Sequence, residues 1–169
     1  VANLETDDVA ALSTAALQGF NSDQIRALTT DEVQALTTAQ VAALRTAQLA
    51  AMNTLQIANM ETADIAALTT AQVASLTSDQ LVAFTTDQIQ ALRTAQVAAI
   101  TTLNISAMQT TDLQALTTAQ AAALTSIQVG AMNTNQIRNL ETADLSALTS
   151  TALDGLNTLQ IQALSTDQI

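Results

Sequence analysis

The chain has 169 residues, 49 % of them apolar, yet it carries only two phenylalanines and four arginines against 15 acidic residues, for a net charge of −11. Nothing in that balance neutralises phosphate, so nucleic acid and anionic membrane surfaces are excluded as partners, and no apolar run is long enough to insert into a membrane. His, Lys, Cys, Tyr and Trp are all missing, which removes the usual activators of a hydroxyl nucleophile and every disulfide, and leaves Met alone, a poor case, for haem ligation.

The sequence is one eight-residue phrase in unbroken phase. From Val1, 21 complete octads run to Gln168, and Ile169 opens the next. Slot 1 is Val, Ile or Leu except at Ala121, and slot 4 is always apolar, with Phe20, Phe84, Ile100, Met52, Met60, Met108 and Met132 among the leucines. Slot 3 is small or Asn, slot 6 is Thr or Ser throughout, and slot 8 is Gln, Asp, Glu or Asn apart from Ala16 and Ala152. Slots 2, 5 and 7 vary. Slots 1, 3, 4, 6 and 8 are therefore expected to face packed surroundings, and slots 2, 5 and 7 to face water.

An eight-residue period rules out one long helix, because about 100° per residue makes an apolar stripe drift by roughly 80° each octad. The period also marks units that bury their apolar face only by stacking. The pattern predicts an all-α solenoid of short capped helices, one per octad, running from slot 6 or 7 to slot 3 or 4. A β-solenoid with Leu, Thr and Gln ladders is the alternative; abundant Ala, three Gly and no Pro weigh against it. Two cap positions compete. A slot-5 cap puts Gln at the third helical position and completes a capping box, whereas a slot-6 cap explains the invariant hydroxyl. The reading favours slot 6, because Glu61, Arg93 and Gln109 occupy slot 5 without disturbing the pattern.

Taken in chain order, the exceptions each have a structural reading. Asp7–Asp8 and Asp31–Glu32 could contribute oxygens to calcium, but no Asp-rich loop accompanies them, and helix N-termini favour acids anyway. Arg26, Arg45, Arg93 and Arg138 fall in slots 2 and 5, as charge balance on the surface. Asn104-Ile105-Ser106 matches a glycosylation triplet by chance. The slot-8 amides either stack as a ladder inside the coil or satisfy backbone groups at helix starts. Thr rows suggest ice binding, which the expected burial of slot 6 disfavours. No catalytic, cofactor-binding or metal-ligating residue emerges, and no cofactor is expected.

Residues 1–33 align with 137–169 at an offset of 17 octads, and share the exceptions Asn3/Asn139, Glu5/Glu141, Ala16/Ala152 and Gly19/Gly155. ETADIAAL from Glu61 echoes ETADLSAL from Glu141. Duplication of multi-octad blocks explains both. Residues 1–169 are thus expected to be a single uninterrupted array within a longer chain.

The units TTAQVAAL, TTDQIQAL and TADIAALT resemble octad arrays of very large bacterial surface or secreted, adhesin-like repeat proteins. That resemblance implies an extracellular or cell-surface structural protein, not an enzyme: an elongated adhesin shaft or a filament or matrix fibre, self-associating end to end or laterally, with a host or matrix surface as partner. The alternative is a binding module for protein, glycan or ice displayed on a solenoid.

Overall fold

The computed structural model describes residues 4–169. It holds twenty α-helices of four to six residues and a closing 3-10 turn at Thr166–Gln168. No strand occurs among the described residues, so the all-α solenoid stands and the β-solenoid is overturned.

Every helix starts at slot 6, as in Thr38–Ala43 and Thr46–Ala51. Slots 4 and 5 supply the break: Leu44 and Thr37 lie in extended backbone, at ψ 139° and 154°. One short helix and an extended step therefore turn the chain in each octad. No described residue has positive φ, which explains how corners form with three glycines and no proline.

The N-cap is slot 5, not slot 6. At Thr37, Thr69 and Thr125 the hydroxyl accepts from the N–H of slot 8, and the slot-8 Gln Oε1 accepts from the slot-5 N–H in return. Arg45 and Arg93 have no acceptor to offer, yet their N–H groups still reach Gln48 and Gln96 at 2.9 and 2.6 Å. The half of the box made by slot 8 is enough, which is why slot 5 can vary. Slot 6 is the first helical residue and mostly faces solvent, contrary to the expectation of burial.

The described residues group into two compact units, Val1–Phe84 and Thr85–Ile169, and the boundary falls between slots 4 and 5. In each unit every helix packs on the third one along, as Thr38–Ala43 does on Thr62–Ala67 and Thr118–Ala121 on Thr142–Ala147. Hydrogen bonds between coils span 25, 28 and 31 residues. A coil thus takes about three and a half octads.

Slot 1 is the innermost position. Val41, Leu49, Ile57 and Ile65 in one unit, and Val97, Ile105, Val129 and Ile137 in the other, are wholly buried. Slot 4 forms a second buried row that includes all four Met. Burying each such side chain contributes about 1.5–3 kcal/mol, and stacking must supply it, since a five-residue helix has no stability of its own.

One coil contact departs from the pattern. Ala152 replaces the slot-8 amide and lies in register with Ala121, the sole alanine in slot 1; both are buried. Here the backbones approach so closely that a Cβ on Gly155 would overlap the Ser126 carbonyl, while one on Gly130 would stand 3.0 Å from the Gly155 oxygen. Gly155→Ala is therefore expected to destabilise the second unit by about 3 kcal/mol, as overpacking against backbone does, and Gly130→Ala by less. Thermal unfolding of the two variants measures the ordering.

Candidate functional site: an internal amide spine

The buried polar residues of the fold are nearly all in slot 8. Gln40, Gln56, Gln72, Gln80, Gln120, Gln128, Gln136 and Gln160 are between 1 % and 2 % exposed. Charge and polarity inside a protein must be satisfied, and these amides are. Gln128 accepts from the Thr125 N–H at 2.9 Å through Oε1, and its Nε2 donates to the Val97 and Ile100 carbonyls at 2.8 Å each. Gln40 repeats this with Val9 and Leu12, Gln72 with Val41 and Leu44, and Gln160 with Val129 and Met132. One side chain thus starts its own helix and fastens it to slots 1 and 4 of the preceding coil. Of the two roles anticipated for the amide, satisfying backbone groups at helix starts is realised; in place of an amide ladder, each amide bonds main-chain carbonyls of the preceding coil.

Glutamine is built for this. Glutamate lacks the two N–H donors, and asparagine is one methylene shorter. Asn104 occupies slot 8 at 2 % exposure, so the glycosylation triplet it opens is closed to modification in the fold.

Acidic residues in slot 8 behave in two ways. Asp8 and Asp112 turn onto their own helix starts and accept from the Glu5 and Gln109 N–H groups at 3.2 and 3.0 Å. Asp64 and Asp144 do not: both are 2 % exposed, and each leaves Oδ2 buried without a hydrogen-bond partner. By register, a Gln at either position would donate to the carbonyls of Val33 and Leu36, or of Leu113 and Leu116. The packed surroundings expected of slot 8 hold for Asp64 and Asp144, but without the donors an amide brings there. The signal was present in the ETAD motif, whose Asp stands where the bridging amide belongs.

Burial, with the Glu61 charge adding to it, pushes the Asp64 carboxyl up to about 6. Burial also raises Asp112, against the Gln109 N–H and Thr111, and raises Asp144, against a Thr118 hydrogen bond and with Glu141 adding to the rise. A group that holds its proton more tightly when folded stabilises the fold at low pH and loses that contribution as pH climbs through its folded value. Stability is therefore expected to fall as pH rises from about 4 to about 6 and to level off above. Asp64 alone accounts for about 1 kcal/mol between pH 5 and pH 7. Urea midpoints at the two pH values read this, and Asp64→Gln is expected to flatten the difference.

Elsewhere the surface is plain. Arg26 pairs with Asp23 at 3.1 Å, both exposed, as the expected charge balance. A shallow depression lined by Asn135, Arg138, Leu159 and Gln162 holds no carboxylate. No group of three or more His, Cys, Asp or Glu side chains clusters among the described residues, and no described helix is long and apolar enough to cross a membrane.

No curated protein matches the chain. The family model for the ALTTAQ repeat matches residues 1–38, 33–60, 57–94, 105–141 and 137–169. The name spells slots 3 to 8 in order: the small residue, the buried Leu, the cap, the first helical residue, an exposed residue and the bridging amide. By its sequence and by the bonds those six slots make, the chain belongs to the ALTTAQ repeat family.

Proposed function

We propose that the chain is a non-enzymatic structural repeat protein of the cell surface or extracellular space. In this reading it serves as an elongated adhesin shaft or as the material of a filament or matrix fibre, and self-associates end to end or laterally. One observation carries the reading: the bond between coils is the same at nearly every step, from a slot-8 amide to the slot-1 and slot-4 carbonyls. A stack joined by one repeated bond has no natural length, and adding octads in phase lengthens it without a new core design. The net charge of −11 opposes indiscriminate clumping of such stacks.

Small-angle scattering tests the mechanical part. A chain carrying two copies of residues 1–168 in phase is expected to keep the cross-section of the single copy and to reach about twice its maximum dimension. Growth of both dimensions together would contradict the shaft. Brief protease treatment of intact source cells tests the location, since a surface protein is stripped and an internal one is spared.

A second reading, a binding face displayed on the solenoid, gains support from slot 6. Its hydroxyls are exposed and occupy equivalent places on packed helices, as Thr38 and Thr62 do. That removes the objection raised against ice binding from the sequence. Inhibition of ice recrystallisation by the purified chain would favour this face over the purely mechanical role.

A further inference from the structure

The residues at slot 8 divide by what they give the preceding coil. A glutamine gives two N–H donors to two carbonyls. Asp64 and Asp144 have no N–H to give, and each leaves a buried oxygen with no partner. Oxygen facing oxygen is repulsive unless something positive lies between. Helix Thr38–Ala43, packed on the Asp64 helix, is uncharged, and so is Thr118–Ala121, packed on the Asp144 helix. The final turn Thr166–Gln168, on the other side of Asp144, adds only Asp167.

The donor chemistry fits a hard cation. Glutamine Nε2 lies 2.6 to 3.0 Å from the carbonyls it bonds. Aspartate is one methylene shorter, so at the same position its oxygen stops short of those carbonyls by roughly one bond length. The ligand chemistry is all oxygen: at the second position the Asp144 carboxylate with the Thr118 hydroxyl near it and, by register, the Leu113 and Leu116 carbonyls. Glu141, one turn back and exposed, supplies a second carboxylate at the rim. The first position offers Asp64 and Glu61 with, by register, the Val33 and Leu36 carbonyls. The ETAD motif thus pairs the inner acid with the rim acid in both units.

We propose that Asp64 and Asp144 are each the inner carboxylate of a hard-cation site, closed by two main-chain carbonyls of the preceding coil and by the Glu three residues earlier. The ion replaces the amide as the link between coils, so these two octads are the points where the stack responds to its ionic surroundings. The inference is independent of the mechanical role.

Calcium chloride is the probe. Titrated into the whole chain at pH 7.5 after chelator treatment, it is expected to bind at two sites with dissociation constants of about 0.1–1 mM and to raise the unfolding midpoint by several degrees. The double variant Asp64→Gln/Asp144→Gln is expected to fold, to be at least as stable as the apo chain and to show no calcium response. Glu61→Gln/Glu141→Gln keeps the inner acids and is expected to weaken binding several-fold. Absence of a response in the parent chain overturns the proposal, as does an equal response in the Gln variant, which marks diffuse binding to surface acids. A chain stabilised by acid alone and indifferent to calcium has a proton in place of the ion, and overturns it too.

Discussion

Gln128→Glu is expected to cost the second unit about 4 kcal/mol at pH 7.5, more than truncation at the same place. The substitution changes one nitrogen to oxygen and keeps shape and reach. Glutamate still accepts from the Thr125 N–H, now 2.9 Å from Oε1. What it cannot do is donate, so a carboxylate oxygen replaces the Nε2 that lies 2.8 Å from both the Val97 and Ile100 carbonyls. Two bonds worth about 1 kcal/mol each are lost, and a buried anion is set against two carbonyl dipoles. Gln128→Leu leaves the same groups unpaired but adds no charge, and is expected to cost about 2–3 kcal/mol. Denaturant unfolding of both variants gives the ordering. A glutamate variant as stable as the parent would mean that the amide is merely accommodated inside the coil.

The converse substitution is expected to stabilise. In chelator-treated buffer at pH 7.5, Asp64→Gln is expected to add about 2–4 kcal/mol to the first unit. The Asp64 carboxyl, pushed up to about 6, is ionised and buried at that pH, which costs about 3 kcal/mol relative to an ordinary carboxyl. Glutamine removes that cost. It also supplies donors to the Val33 and Leu36 carbonyls and an acceptor to the Glu61 N–H, less the rotamer entropy of a longer side chain. Asp144→Gln is expected to act in the same direction in the second unit, where the Thr118 hydrogen bond already offsets part of the penalty. Thermal midpoints measure both, and a loss of stability on restoring the consensus amide would show that the register across coils is misread.

Much of this was legible in the octad. Slots 1 and 4 stood out as the buried rows because their residue type hardly varies, and Val41, Leu49, Met52 and Met60 are indeed inside. The restart of a helix in every unit followed from a period that no continuous helix can keep. The cap was misplaced because variability at slot 5 looked like freedom, when slot 8 was holding the slot-5 N–H whatever side chain stood there, as Gln48 does for Arg45. Slot 6 was taken as packed because it is invariant, yet its hydroxyls mostly face water. The coil size was illegible for a different reason. It is set by bonds such as Gln40 to Val9 and Leu12, which join residues 31 and 28 apart, and an eight-residue period contains no mark of that distance. The buried acids could have been found by asking which slot-8 residues lack an N–H, a question that arises only once the amide is known to donate.

Side-chain amide hydrogen exchange, followed by NMR, tests the spine most directly. The Nε2 protons of Gln72, Gln128 and Gln136 are expected to exchange orders of magnitude more slowly than those of the exposed slot-2 residues Gln34 and Gln162. They should also show through-bond coupling to the carbonyls of Val41, Val97 and Ile105. Exchange as fast as that of Gln34, with no coupling across the coils, would contradict the account.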